Sequence, residues 1–438
     1  MFSYYVKLAF VSFKRTPLLS FLMVLLIAMG IGATMTTFTV SYMMNQDPIP
    51  SKSDRIFSVQ MDSRGDGYDY DEEVISPEVT YLDVQNIMHS DIPKYYVALS
   101  ALRTMLKNPT QQEKAVSSTV RTTTADFFAM FNTPFLFGTG WDKSADENAE
   151  QVIVLTKKAN NRFFNGENSV GQTLQFGEAL YRVVGVLDDW YPIPKFYGAK
   201  TTAFSDPFDV FIPFNTQIQN ELYTSKLVNT RCWKNPEDDS YEAFLASECR
   251  WVLFWVELES ASSQAQYKAF LDNYAREQQA QGRFANRIYN RVVPVKQHLI
   301  DQEIVSDDSK LAVWLSALFL IVCLLNCMGL MMAKFHSKAG EVGLRRAVGA
   351  SKQHIVAQFS VELAVIGFIG GVAGLSLAQV GLAATANLYS YLHSSLMQMN
   401  AILVGVTILL AVIVSCIFGL VPILKASRTQ PSSQLKSL

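Results

Sequence analysis

The stretch MMAKFHSKAGEVGLRRAVGASKQHIVAQFS, residues 331–360, lies between two long apolar runs and carries five Lys or Arg residues against one Glu. It is too polar to enter hydrocarbon, so a chain that has crossed a bilayer turns back here and crosses again. The flanking runs are Leu311–Ala333 and Phe359–Tyr389, and two more occupy Leu18–Tyr42 and Ala401–Leu424. Each has at least 23 residues, whereas about 20 suffice to cross roughly 30 Å of hydrocarbon as a helix. Glu362 is the only formally charged side chain in the four runs. The expected fold class is a membrane protein with four transmembrane α-helices and a large two-lobed α/β extracytoplasmic domain between the first and second.

Lys and Arg placement orients the chain. Residues 1–17 hold Lys7, Lys14 and Arg15; residues 334–358 hold Lys334, Lys338, Arg345, Arg346 and Lys352; the tail holds Lys425, Arg428 and Lys436. The remaining short loop, 390–400, has no Lys or Arg, so both termini and the 335–358 loop are expected in the cytoplasm of a bacterial inner-membrane protein. The long segment 44–309 then lies outside. It carries a net charge of −12 against +10 for the rest, a split hidden by the overall −2. An acidic exterior argues against nucleic acid and anionic lipid as partners of this domain. The first run exceeds a signal-peptide core and leads into SYMMNQDP without a small-x-small cleavage site, which reads as an uncleaved anchor. Before it, YYVKLAFVSFKRTP predicts an amphipathic helix over 1–17 on the inner surface, with Pro17 opening the span. The expected spans are 18–43, 310–334, 359–389 and 401–424, followed by a tail of 425–438.

The external segment starts with strand RIFSVQM (55–61), helix SPEVTYLDVQNIMHS (76–90) and strand YYVALSALRTML (95–106). It ends with strand RWVLFWVELE (250–259), helix SSQAQYKAFLDNYAREQQ (262–279) and strand RIYNRVVPV (287–295). These ends are expected to pair into one membrane-proximal layer of about 44–110 and 246–309, with a β-rich distal lobe at about 110–245. Cys232 and Cys249 both lie outside, as a disulfide or as two free thiols; a bridge closing so short a loop adds about 3 kcal/mol. GENSVGQT (166–173) is one residue from a phosphate-binding loop, but Gln172 stands where the Lys belongs and a strand follows, so a turn is the better reading. Glu257 and Glu259 share a strand face, which favours solvated carboxylates over a catalytic pair. The five histidines show no metal-ligand spacing, and neither HExxH nor GxSxG occurs. No enzyme and no metal site is expected.

Inside the spans, polar groups are sparse: Asn326, Gln379, Asn387, some hydroxyls and Glu362. Such helices line no polar tunnel. Glu362 reads as a first-turn carboxylate favoured by the helix dipole and paired with Arg345 or Arg346, or else as a coupling contact. Small residues are spaced for helix packing at Gly370 and Gly374, at Gly367 and Gly371, and at Ala28 and Gly32. In the polar segment, Glu341 to Val348 has helical propensity, Gly349 is placed to end the helix, and Ser351 caps the next one. Gly343 costs about 1 kcal/mol in a helix interior, which points to a close backbone approach. Leu344, Ala347 and Val348 share a face, giving either a docking peg or a loop that only sets topology.

GEVGLRRAVGASKQHIVAQFSVELAVIGFIGGVAGL (340–375) resembles the cytoplasmic loop and third helix of MacB/FtsX-type permeases of ABC transporters. AFVSFKRTPLLSFLMVLLIAMGIG (9–32) is similar to that family's approach to the first span. PILKASRTQPSSQLKSL (422–438) is similar to its closing pattern, here Pro422, Ala426, Pro431 and Leu435, although Ile423 and Gln434 stand where alanines are common. VRTTTADFFAMF (120–131), QVIVLTKKANNRFFNGENSVGQTLQFG (151–177) and YRVVGVLDD (181–189) resemble its periplasmic core domain.

The resemblance implies that Glu341, Val342, Gly343, Leu344, Arg345, Arg346, Ala347, Val348, Gly349 and Ala350 form a coupling helix that docks on a cytoplasmic ATPase. That subunit binds ATP and Mg, and this chain is a non-catalytic partner. Seventeen residues precede the first span, so the ATPase is expected on a separate polypeptide. A second permease, identical or similar, is also implied. The expected function is transmission of ATP-driven motion to the external domain, driving efflux of peptide, toxin or antimicrobial cargo with an adaptor and an outer-membrane duct. Alternatives are an FtsX-like activator of a cell-wall hydrolase, a lipoprotein-release permease and an ATP-independent receptor. The size of the external domain favours the exporter over the FtsX-like reading.

Overall fold

The computed structural model describes residues 2–65, 75–110, 114–224, 228–285, 287–304, 307–388, 399 and 401–427. It divides into two units, Asn45–Val305 and a helical unit of Met1–Met44 with Ser306–Leu438.

Among the described residues, the helical unit has four helices long and apolar enough to cross a membrane: Pro17–Met44, Lys310–Ser337, Lys352–Asn387 and Ala401–Lys425. Proline fits the first turn of a helix because the amide it lacks would have no partner there, so Pro17 starts the first span directly after an N-terminal helix, Phe2–Arg15. That N-terminal helix turns Ala9 and Ser12 inward and leaves Tyr4, Phe10 and Val11 exposed. The third span packs on the first and the fourth. The fourth runs on to Ser427 with Pro422 inside it. Arg428, Pro431, Gln434, Leu435 and Lys436 of the closing pattern lie outside the described residues, as does almost all of the 390–400 loop.

Among the described residues of Asn45–Val305, twelve strands form one sheet. They are β1 (Ile56–Met61), β2 (Glu78–Thr80), β3 (Tyr95–Lys107), β4 (Val116–Thr123), β5 (Phe135–Gly138) and β6 (Val152–Leu155). The chain continues through β7 (Thr173–Phe176), β8 (Ala179–Leu187), β9 (Val210–Pro213), β10 (Arg231–Cys232), β11 (Cys249–Glu257) and β12 (Asn290–Pro294). The main order is β12-β1-β11-β3-β4-β9-β6-β8-β5. β1 lies antiparallel between β11 and β12, with Val59 opposite both Phe254 and Val292, so the two ends of the segment build one layer. β4 and β9 are parallel, with Val120 opposite Val210, and this pairing carries the sheet past residue 110 into the β-rich insert.

Alternation explains why β6 and β9 of the insert are apolar at every position. Val152 and Val154 of β6 and Phe211 of β9 enter one hydrophobic cluster, while Ile153, Leu155, Val210 and Ile212 enter another. The two clusters cover opposite faces of the same strands, which is how a doubly buried sheet reads in sequence. The first cluster also takes in Trp251, Trp255, Phe254 and Leu271, so one core crosses the division expected near residues 110 and 245. The helix expected over 76–90 is shorter. Glu78–Thr80 pairs with β11 as a strand, and the Thr80 hydroxyl then caps a helix of Tyr81–Ile87 by accepting from the Asp83 amide. Cys232 and Cys249 face each other across β10 and β11 and form a disulfide.

Candidate functional site

The segment between the second and third spans folds as a helix, Ala339–Ala347, with Lys338 at its start. Ala339, Val342 and Gly343 turn inward and are buried. Leu344 and Val348 are 60% and 82% exposed, and Ala347 between them is exposed as well. Gly349, at φ +107°, ends the helix. Its amide donates to the Arg346 carbonyl and that of Ala350 to the Arg345 carbonyl, the paired bonds of a glycine-terminated helix end. Ser351 then caps the third span, its hydroxyl accepting from the His354 amide at 3.3 Å. Arg345 braces the helix from behind: its guanidinium donates to Glu341 at 2.6 Å and to Gln358 of the third span at 2.8 Å. Glu341 also accepts from Arg15 of the N-terminal helix at 3.3 Å. The result is a short helix fixed on one side and apolar on the other.

Of the two arginines expected from sequence as partners of Glu362, Arg345 is engaged elsewhere, and Glu362 meets Lys334 and Lys338. Arg345 is engaged by Glu341 and Gln358, whereas Glu362 sits one turn beyond Gln358 along the third span, at the level of Lys334. Lys334 Nζ lies 2.7 Å and Lys338 Nζ 3.5 Å from the Glu362 carboxylate; Lys334 is 1% and Glu362 2% exposed. The Ser12 hydroxyl donates to Glu362, and Lys334 donates to the Ser20 hydroxyl at 2.9 Å while lying over the Phe13 ring. Burying two charges costs several kcal/mol per ion unless geometry and further hydrogen bonds offset it, and here both are present. One buried cluster therefore ties the N-terminal helix to the first, second and third spans. Ser12 and Ser20 carry no mark in the sequence, and Lys334 and Lys338 count there only as charges that orient the chain. The available signal was a Lys closing one span and a Glu opening the next.

The small residues lie at helix contacts. A Cβ on Gly370 would come within 2.7 Å of Ile27 and one on Gly374 within 2.9 Å of Ile31, so both face the first span, where the Ala28 carbonyl is also met. A Cβ on Gly32 would reach Leu377 at 3.0 Å. Gly367 and Gly371 face the fourth span, meeting Ser415 and Ala411. Asn326, Gln379 and Asn387 are exposed on the outside of the helical unit. The cavity between the first, second and fourth spans is walled by Ile27, Ile31, Leu320, Leu324 and Val414, with Thr34 and Thr407 its polar neighbours.

The other sequence candidates are structural. Glu257 is buried beside Lys52 at 3.0 Å, and Glu259 lies past the strand end with Lys94 at 2.8 Å, which holds its carboxyl below the usual range. GENSVGQT turns through positive φ at Gly166 and Gly171 and runs into β7.

The family model of the MacB-like periplasmic core domain matches residues 20–274, more than half of the chain, and that of the FtsX-like permease C-terminal region matches 313–431. The chain belongs to the MacB/FtsX-type permeases of ABC transporters. As such a permease it is a multi-pass inner-membrane protein with a large α/β domain after its first span. It is 21% identical over 345 residues to the macrolide export ATP-binding/permease protein MacB of Acinetobacter baylyi, covering 78% of this chain and 46% of that one. It is 25% identical over 315 residues to the pyoverdine export ATP-binding/permease protein PvdT of Pseudomonas entomophila, covering 71% and 42%. The chain thus spans less than half the length of these relatives. The crystal structure of the periplasmic region of MacB from Actinobacillus actinomycetemcomitans is 12% identical, with a TM-score of 0.37, covering 60% of this chain and 99% of that one.

Proposed function

We propose that this permease converts ATP hydrolysis by a separate cytoplasmic ATPase, which holds the ATP and Mg, into movement of its Asn45–Val305 domain on the outer side of the membrane. It does so paired with a second permease, both termini in the cytoplasm. The observation that carries this reading is the exposed ridge of Leu344, Ala347 and Val348 on a helix whose opposite side is pinned. An apolar ridge on a fixed helix fits a groove on another protein better than it fits water. Force on that helix reaches the third span through Arg345 and Gln358, and the second span because Lys338 follows it directly. The Glu362–Lys334 cluster makes these elements and the N-terminal helix respond together. The apolar interior of the described spans supports work done outside the membrane over passage of a polar solute through the helices. The relatives' export roles support efflux of a peptide, toxin or antimicrobial from the periplasm, with an adaptor and outer-membrane duct as further partners.

Leu344→Glu with Val348→Glu alters only exposed positions. In membranes containing the ATPase, stimulated ATP hydrolysis is expected to fall at least tenfold with insertion of the permease unchanged. Full stimulation in the double variant would refute the docking role.

A further inference from the structure

The α/β domain holds a cleft of about 970 Å³ between the segments 75–78, 198–201, 228–231 and 301–304. Pockets of roughly 300–1,000 Å³ are the size that takes drug-sized organic molecules. Ile75, Val228 and Ile304 are buried in the wall and Phe244 partly so, which gives a ligand apolar surface to cover.

Most charges on the wall are matched or wet. Asp301 meets Arg291 at 2.6 Å, and Glu303 meets Lys200 at 2.8 Å. His298, packed on Trp255, adds no positive charge at neutral pH, because burial pushes its pKa down to about 4. Arg231 is exposed to water. Glu78 is different. The pairing of β2 with β11 sets it opposite Leu253, in the wall and only 3% exposed. Its carboxyl accepts from the Ser76 hydroxyl. No Lys or Arg among the described residues stands within ion-pair distance of it, and Arg250 and Arg231 act on it only from further away. Burial accordingly pushes its pKa up. A buried carboxylate without a counter-charge is costly, and a cation reaching it from the cleft removes that cost.

We propose that this cleft binds a drug-sized organic amine, its ammonium pairing with Glu78 and its apolar body covering Ile75, Val228, Phe244 and Ile304. The net charge of −12 over residues 44–309 favours the approach of a cation. The site depends on the wall of the cleft and not on coupling to an ATPase, so either can fail without the other.

The test is isothermal titration of the full-length permease in detergent, with detergent alone as the blank. The probes are phenylalanyl-leucyl-phenylalanine amide with a free amine and the same compound N-acetylated. The free amine is expected to bind saturably, and roughly tenfold or more tighter than the acetylated form. Glu78→Gln keeps an acceptor for Ser76 and loses the charge; it abolishes the difference and leaves the affinity of the acetylated form unchanged. Thr201→Trp, at an exposed position of the wall, fills part of the cleft and weakens both compounds. No saturable binding of the amine, equal affinities for the two compounds, or a preference for the amine that survives Glu78→Gln would overturn the proposal. Binding undiminished by Thr201→Trp would do so even where Glu78→Gln fails to fold.

Discussion

Removing the carboxylate of Glu362 leaves Lys334 and Lys338 facing each other with nothing to balance them. Breaking one side of a buried pair costs about 3–5 kcal/mol, while replacing both partners by apolar groups is close to neutral. Glu362→Leu is therefore expected to lower the thermal midpoint in detergent sharply, and Lys334→Met added to it to restore most of the loss; equal destabilisation by the single and double changes would contradict the pairing. His298 gives a pH-dependent counterpart in the α/β domain. It is fully buried against Trp255, and burial pushes its pKa down to about 4. The folded chain thus binds this proton more weakly than the unfolded one, so its contribution to stability is intact above about pH 6.5 and falls by about 1.4 kcal/mol per unit as the pH drops towards 4. His298→Phe keeps the ring contact and should flatten the loss of stability between pH 6.5 and 5; an unchanged slope would mean that His298 titrates normally. At this scale sequence reading goes part of the way. Glu362 stands out as a lone charge in an apolar run, but its depth, and hence its partner, depends on how two helices are staggered, which spacing along one chain does not give.

The helical elements were the most legible part of the molecule, because their causes are local. Pro17, Gly349 and Ser351 mark a start, a stop and a cap by backbone chemistry alone, and each does so in the structure. Glycine spacing likewise marks a contact face, since a missing Cβ is what lets two helices approach. Gly374 meets Ile31 so closely that Gly374→Leu must push the first span aside. The expected outcome is a chain that inserts but unfolds in detergent several degrees lower, measured by thermal denaturation, whereas the same change at Gly405, where nothing lies within 4 Å, should be neutral. An equal effect at both positions would show that the stripe is not a packing face. The 76–90 segment was less legible. Its helical pattern is real from Tyr81 onward, but Glu78–Thr80 is claimed by β11, a strand far along the chain. Tertiary pairing overrides local propensity there.

For the whole molecule, sequence separated an apolar unit from an acidic one and paired the ends of the acidic segment, but strand order within the insert was out of reach. β4 joins β9 in parallel and β9 joins β6 antiparallel, crossovers that no turn signal announces. In the proposed function a cytosolic motor acts on the helix Ala339–Ala347 and the outer domain receives the motion. A photo-crosslinking residue at Val348, in native membranes containing the ATPase, tests this most directly. Crosslinks to the ATPase subunit whose yield changes between nucleotide-free and ATP-bound states are the expected result. Crosslinks to lipid or to nothing, in every nucleotide state, would contradict it.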